Sequence, residues 1–211
     1  DSSAGIGTMT FYDPTSTVFG GLGHAITDVD TGEIMPLLSG EIVSVDIEGA
    51  IKGVGGTPGE LRGSFHTDTI IGSLQQNRET GVFGVLDTPP SQGVVMPVAL
   101  RQEIQTGKAY IYTTTEGNSP HMYEIEIERV NLTDANPTRN MVIRVTDPTL
   151  LATTGGIVQG MSGSPIVQNG QLIGAVTHVF VNDPTRGYGI FAENMIKTIQ
   201  SLEKVQLDNI S

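Results

Sequence analysis

Residues Gly160-Met161-Ser162-Gly163-Ser164-Pro165 run directly into two apolar stretches, Pro165–Val167 and Leu172–Val181, joined through Asn169-Gly170. Asn-Gly between apolar runs supplies the positive φ angles of a tight turn, so this stretch reads as a β-hairpin. The same grammar recurs outward from it. Met122 to Val130 (MYEIEIERV) alternates, with Tyr123, Ile125 and Ile127 on one face and Glu124, Glu126 and Glu128 on the other. That period of two marks a half-buried strand. Ala109–Thr115 and Met141–Val145 are β-branched and aromatic enough to be strands, and Glu41–Ile51 sets Val43, Val45 and Ile47 on one side. Gly53–Gly63 and Asp87–Gly93 read as loops, His66 falls on a strand and His121 on a turn. Helical spacing is persuasive only at the end, where Met195, Ile196, Ile199, Leu202 and Val205 predict a helix from Ala192 to about Leu207.

The 211 residues fit one large all-β unit of two barrel halves, with a soft boundary near 87–108. The 27 Gly and 11 Pro are spread along the chain, as many short strands and tight turns require. A formal net charge of −12 and the lack of a Lys/Arg cluster exclude nucleic acid as a partner. With no cysteine there are no disulfides, thiolate metal sites or cysteine nucleophile. The four histidines are too scattered for a metal hydrolase, and no cofactor is expected. No run approaches the ~18 apolar residues of a membrane helix. Asp1 opens the chain without the features of a signal peptide, as expected of a mature product or an excised domain.

Gly160 and Gly163 flank Ser162 so that the chain can turn sharply and bring backbone amides close to a substrate. A serine attacking a carbonyl needs this exposure, and N–H groups aimed at the oxyanion that forms. Gly160 N–H and Ser162 N–H are the expected oxyanion hole. A strand-to-helix elbow, G-x-S-x-G, would need glycine at position 164 and a helix after it. Ser164 and a hairpin stand there instead. Ser164 is a competing nucleophile, although Pro165 beside it favours a structural role.

A serine nucleophile needs a base brought by the fold. His24, in Phe19-Gly-Gly-Leu-Gly-His24-Ala, sits on a glycine-rich turn at a strand end and leads His66 and His178. Asp28, Asp46, Asp68, Asp87, Asp134 and Asp147 all lie between His24 and Ser162, and composition does not choose among them. Asp147 has the better claim, because it closes the strand run MVIRVTDP.

Gly174-Ala-Val-Thr-His178 after the serine block resembles the substrate-pairing edge of chymotrypsin-like peptidases, with Thr177 to Val179 as the edge strand. More closely, Gly156-Ile-Val-Gln-Gly-Met-Ser-Gly-Ser-Pro165, Gly174 to Pro184 and Gly23-His24-Ala resemble the SpoIVB peptidase family, sporulation signalling peptidases of endospore-forming bacteria. That resemblance spans about Gly5 to Met195. It implies an all-β, chymotrypsin/trypsin-like double β-barrel with a C-terminal helix, and a triad of His24, Asp147 and Ser162. It implies a serine endopeptidase that cleaves itself and a membrane-bound regulator of an intramembrane protease, leading to activation of a late sigma factor. The family works in the space between mother cell and forespore membranes, and its PDZ domain and membrane segment are absent from this sequence. Membrane contact is expected only through such segments.

Gly156, Ile157, Val158, Thr177, His178 and Val179 are expected to bind substrate. None of the pocket residues at 156–158 is charged, which favours an apolar or small side chain before the scissile bond. Met161 stands where digestive enzymes carry an aspartate that pairs with a freed N-terminus, so no such ion pair is expected. The competing reading is a catalytically inactive, peptidase-like module that holds extended peptides on its edge strand.

Overall fold

The structure is a computed structural model that describes residues 5–23 and 40–208, with side chains to residue 201. Two β units follow one another. The first holds β1 (Thr8–Tyr12), β2 (Val18–Leu22), β3 (Gly40–Ile51), β4 (Glu60–Arg78) and β5 (Gly81–Leu86). These form a half-barrel sheet in the order β1-β2-β5-β4-β3. A segment with one short 3₁₀ turn, Arg101–Glu103, leads to the second unit. That unit contains β6 (Gly107–Thr113), β7 (His121–Val130), β8 (Met141–Val145), β9 (Pro165–Gln168), β10 (Gln171–Phe180) and β11 (Asp183–Phe191), which close into a six-stranded barrel. Helix α1 (Pro148–Thr154) precedes the Ser162 turn, and α2 (Ala192–Asp208) ends the described chain. The fold is the expected all-β, chymotrypsin-like arrangement with a C-terminal helix. Of its two barrel halves, the first is a half-barrel sheet among the described residues and the second is closed.

The barrel closes because alternation supplies an apolar lining. Ile111, Ile125, Ile127, Ile143 and Ile166 are fully buried inside it, and the β6–β9 pairs Tyr110↔Val167 and Ile111↔Ile166 make the seam. The intervening glutamates of β7 face outward onto cations: Lys108 to Glu124 at 3.4 Å, Arg144 to Glu126 at 2.7 Å, and Arg186 to Glu128 at 3.0 Å. The hairpin turns at Asn169 (φ 52°) and Gly170 (φ 73°), as its sequence demands.

Three expectations need correction. Glu60–Gly63 is the start of β4, not loop, because Leu61 is buried and its N–H bonds the Gln159 carbonyl at 2.8 Å. His121 opens β7 in place of a turn. The segment after Val145 does not end on a bare strand terminus. Asp147 caps a helix there, with Pro148 at the first helical position and Gly155 (φ 73°) closing it.

Arg101 pins the connecting segment to the end of the barrel. Its guanidinium is buried and bonds Glu193 at 2.6 Å, Asp134 at 2.5 Å, Asn194 Oδ1 at 2.8 Å and the Leu132 carbonyl at 3.3 Å. It also lies 5.1 Å from the Phe191 ring centre. Burial pushes the Glu193 carboxyl up, but the Arg101 hydrogen bonds and charge outweigh it and hold the group below the ordinary glutamate range. Removing one partner of a buried pair strands the other, at about 3–5 kcal/mol. Arg101→Ala should therefore lower the urea midpoint at neutral pH. A depressed folded pKa gives stability that is present above the ordinary glutamate range and lost as pH falls through the folded value. The gap between wild type and Arg101→Ala should accordingly narrow in acid, and urea titrations at several pH values measure both.

Candidate active site

The turn from Gly160 to Ser164 sits between the two β units and is fixed from both sides. On the barrel side, Gly163 N–H bonds the Val176 carbonyl at 2.7 Å, and Val176 N–H bonds the Ser164 carbonyl at 3.0 Å. Met161 N–H reaches the Val158 carbonyl at 3.1 Å, and Ser164 N–H the Met161 carbonyl at 2.9 Å. The Met161 side chain is fully buried in the barrel core. An apolar residue thus anchors the turn by packing, where an aspartate would need a cation. Asp1 lies outside the described residues.

On the other side, β1 takes the turn's carbonyls. Thr8 Oγ1 donates to the Gly160 carbonyl at 2.8 Å, Thr8 N–H to that of Ser162 at 3.0 Å, and Thr10 Oγ1 to that of Gly163 at 2.7 Å. Gly160 (φ 101°) and Gly163 (φ 93°) hold backbone angles that side chains disfavour. A Cβ at Gly163 would stand 2.1 Å from the Thr8 carbonyl oxygen and 2.7 Å from Leu22 N, so only glycine fits. Sequence reading missed Thr8 and Thr10. Both lie on β1, far from Ser162 in the chain, and nothing local signals that they meet it.

With these carbonyls bound, the N–H groups of Gly160 and Ser162 have no acceptor among the described residues. The Ser162 side chain is half-buried, and its hydroxyl donates to the Thr177 carbonyl at 3.0 Å. Thr177 Oγ1 in turn holds the Thr138 carbonyl at 2.9 Å. Ser164 is fully buried with an unpartnered hydroxyl, so it is inaccessible to a substrate.

His24 lies outside the described residues. β2 ends at Leu22, whose backbone packs against Gly163, so the chain leaves the sheet beside the nucleophile turn. His66 is elsewhere: on β4 its Nε2 lies 2.7 Å from Asp46 on β3, both half exposed, with no hydrogen bond to Ser162. The Asp147 carboxylate accepts from Thr149 N at 2.9 Å, Leu150 N at 3.2 Å and Glu124 N at 3.3 Å. No hydrogen bond joins Asp147 to Ser162 among the described residues. Asp134 is engaged by Arg101, and Asp28 lies outside the described residues.

Of the expected substrate residues, Ile157 and Val158 are 3% and 2% exposed and belong to the barrel core. As corrections to the expected lining, their side chains are spent on packing, and it is the Val158 carbonyl that meets the turn. Thr177 to Val179 behave differently. β10 pairs with β11 along this stretch, but β9 leaves β10 at Ala175, so among the described residues no strand pairs with the other edge past Val176. His178 is exposed on that edge, and partial burial with the Arg139 charge holds its imidazole below the usual histidine range.

The family model described as SpoIVB peptidase S55 matches residues 1–196. Among solved structures, a double mutant of human heparin binding protein is 13% identical, with a TM-score of 0.44 over 96% of this chain and 97% of its own. An inactive-form mutant of Rv3671c from M. tuberculosis H37Rv is 15% identical, with a TM-score of 0.43 over 78% of this chain and 87% of its own. The thermostable serine protease AL20 from an extremophilic microorganism is 13% identical, with a TM-score of 0.38 over 90% and 94%. No curated protein matches the chain. The match across residues 1–196 settles the assignment: this chain belongs to the SpoIVB peptidase S55 family and is a serine endopeptidase.

Proposed function

We propose that Ser162 is the nucleophile, His24 its general base, and Gly160 and Ser162 N–H the oxyanion hole. The single observation that carries this is the asymmetry of the turn. The carbonyls of Gly160, Ser162 and Gly163 are bound by β1, while the amides of Gly160 and Ser162 have no acceptor among the described residues. Unpaired donors held in place are what stabilise a tetrahedral oxyanion, and losing one commonly costs about 3–4 kcal/mol of barrier.

An extended substrate pairs with the open edge at Thr177–Val179 as an added strand. Its amide before the scissile bond goes to the Thr177 carbonyl and releases the Ser162 hydroxyl held there. The freed hydroxyl passes its proton to His24 and attacks the scissile carbonyl. The imidazolium then returns that proton to the leaving amine, and water completes hydrolysis through the same steps. The uncharged stretch Gly156–Val158 favours an apolar or small residue before the cut.

Asp147 completes the triad in this reading. Its carboxylate is held in place by the N–H groups of Thr149, Leu150 and Glu124, which fixes the position from which it would orient an imidazole. The biological setting follows the family: cleavage of itself and of a membrane-bound regulator of an intramembrane protease, in the space between mother cell and forespore, upstream of a late sigma factor. The family match to residues 1–196 supports that setting.

Ser162→Ala should abolish peptide cleavage, a loss of about 10⁴-fold or more, and block labelling by a sulfonyl fluoride that intact-mass analysis locates at Ser162 in wild type. Persisting turnover in Ser162→Ala would end the reading and favour another nucleophile. For Asp147, asparagine caps a helix about as well as aspartate, whereas alanine costs about 1 kcal/mol. Asp147→Asn should therefore keep the wild-type melting temperature yet lower kcat by roughly 10⁴-fold. Full activity in Asp147→Asn would make this residue a helix cap and nothing more.

A further inference from the structure

Beside the open edge of β10 lies a positive charge without an ion-pair partner among the described residues. Arg139, in the loop between β7 and β8, places its guanidinium carbon 5.1 Å from the Tyr188 ring centre. Tyr188 stands directly opposite His178 in the β10–β11 ladder, and its ring packs 4.8 Å from that of Phe180. His178, Tyr188 and Arg139 thus make one row, with His178 and Arg139 exposed at its ends and Tyr188 half-buried between them. No carboxylate among the described residues forms an ion pair with Arg139. The acids on neighbouring segments are committed: Asp134 to Arg101, Glu128 to Arg186, and Asp183 to the Thr185 amide and hydroxyl. The charge of Arg139 also acts on the His178 imidazole, second to burial, in holding it below its usual range.

The register of a bound peptide follows from the proposed function, on which this inference rests. If Thr177 receives the amide of the residue before the scissile bond, the residue preceding that one stands opposite His178. Side chains directly opposite in an antiparallel pair share a face, about 5 Å apart at Cβ, and diagonal neighbours stay within reach of long side chains. Two ladder spacings, roughly 10 Å, separate the peptide from β11. Long side chains reaching inward from the peptide and from Arg139 span that gap and meet over His178. We propose that Arg139, over Tyr188 and beside His178, is a carboxylate-binding subsite selecting substrates with Asp or Glu at the second or fourth residue before the scissile bond. The net charge of −12 does not oppose this, since charges farther than ~10 Å are screened at moderate salt.

The test uses fluorogenic peptides identical but for Glu, Gln or Lys at the second or fourth residue. Wild type should favour Glu over Gln by about fivefold in kcat/KM at low salt, with Lys poorest and the ratio shrinking as salt rises. Arg139→Gln should bring the Glu/Gln ratio to about one, Arg139→Lys should keep most of it, and Arg139→Glu should favour Lys. A ratio of one in wild type, or an unchanged ratio in Arg139→Gln, would overturn the proposal. The same ratios read as peptide affinities by fluorescence anisotropy on Ser162→Ala decide the subsite without turnover. Turnover that survives in Ser162→Ala indicts the nucleophile, and a flat affinity series indicts Arg139.

Discussion

The structure depends on one constraint: a tight turn must be held by its carbonyls on one side so that two of its amides, those of Gly160 and Ser162, find no acceptor among the described residues on the other. Thr8 and Thr10 supply that pull from a strand about 150 residues away in sequence. A buried or half-buried carbonyl left unbonded would cost about 1–3 kcal/mol, so the clasp both stabilises the turn and aims it. It also joins the two β units, because the half-barrel contributes the donors and the barrel the turn. Gly163 shows how tight that junction is, since β1 and the end of β2 occupy the space a side chain would need. The first unit thereby shapes a site whose proposed nucleophile, Ser162, belongs to the second.

What was legible in the sequence was whatever local physics decides. The alternation of Tyr123, Ile125 and Ile127 against three glutamates gave β7 its inner and outer faces, and the outward glutamates do meet cations. Asn169-Gly170 placed the hairpin, and the spacing of Met195 and Ile199 placed α2. Helix α1 was missed although its punctuation was present: Asp147 before Pro148, and Gly155 past the end. At seven residues it is too short for hydrophobic periodicity to register. Glu60–Gly63 was misread because its glycines suggested loop, while pairing with Gly49 and Ile47 decided for strand.

The site was half legible. Glycines flanking a serine announce a strained turn from sequence alone, and Ser162 is where such a turn forms. The threonines that hold it, the burial of Ile157 and Val158, and the seat of Arg139 over Tyr188 are all tertiary facts. Each depends on which strands become neighbours. Asp147 illustrates the overlap between two grammars, since an aspartate before a proline reads equally as a strand end and as a helix cap.

Met161 has a consequence of its own. The turn is fastened by neutral hydrogen bonds and by a fully buried thioether, and no ionisable side chain among the described residues bonds to it. Acid or base therefore finds nothing there to protonate or discharge. The shape of the turn that carries Ser162 is thereby decoupled from pH among the described residues.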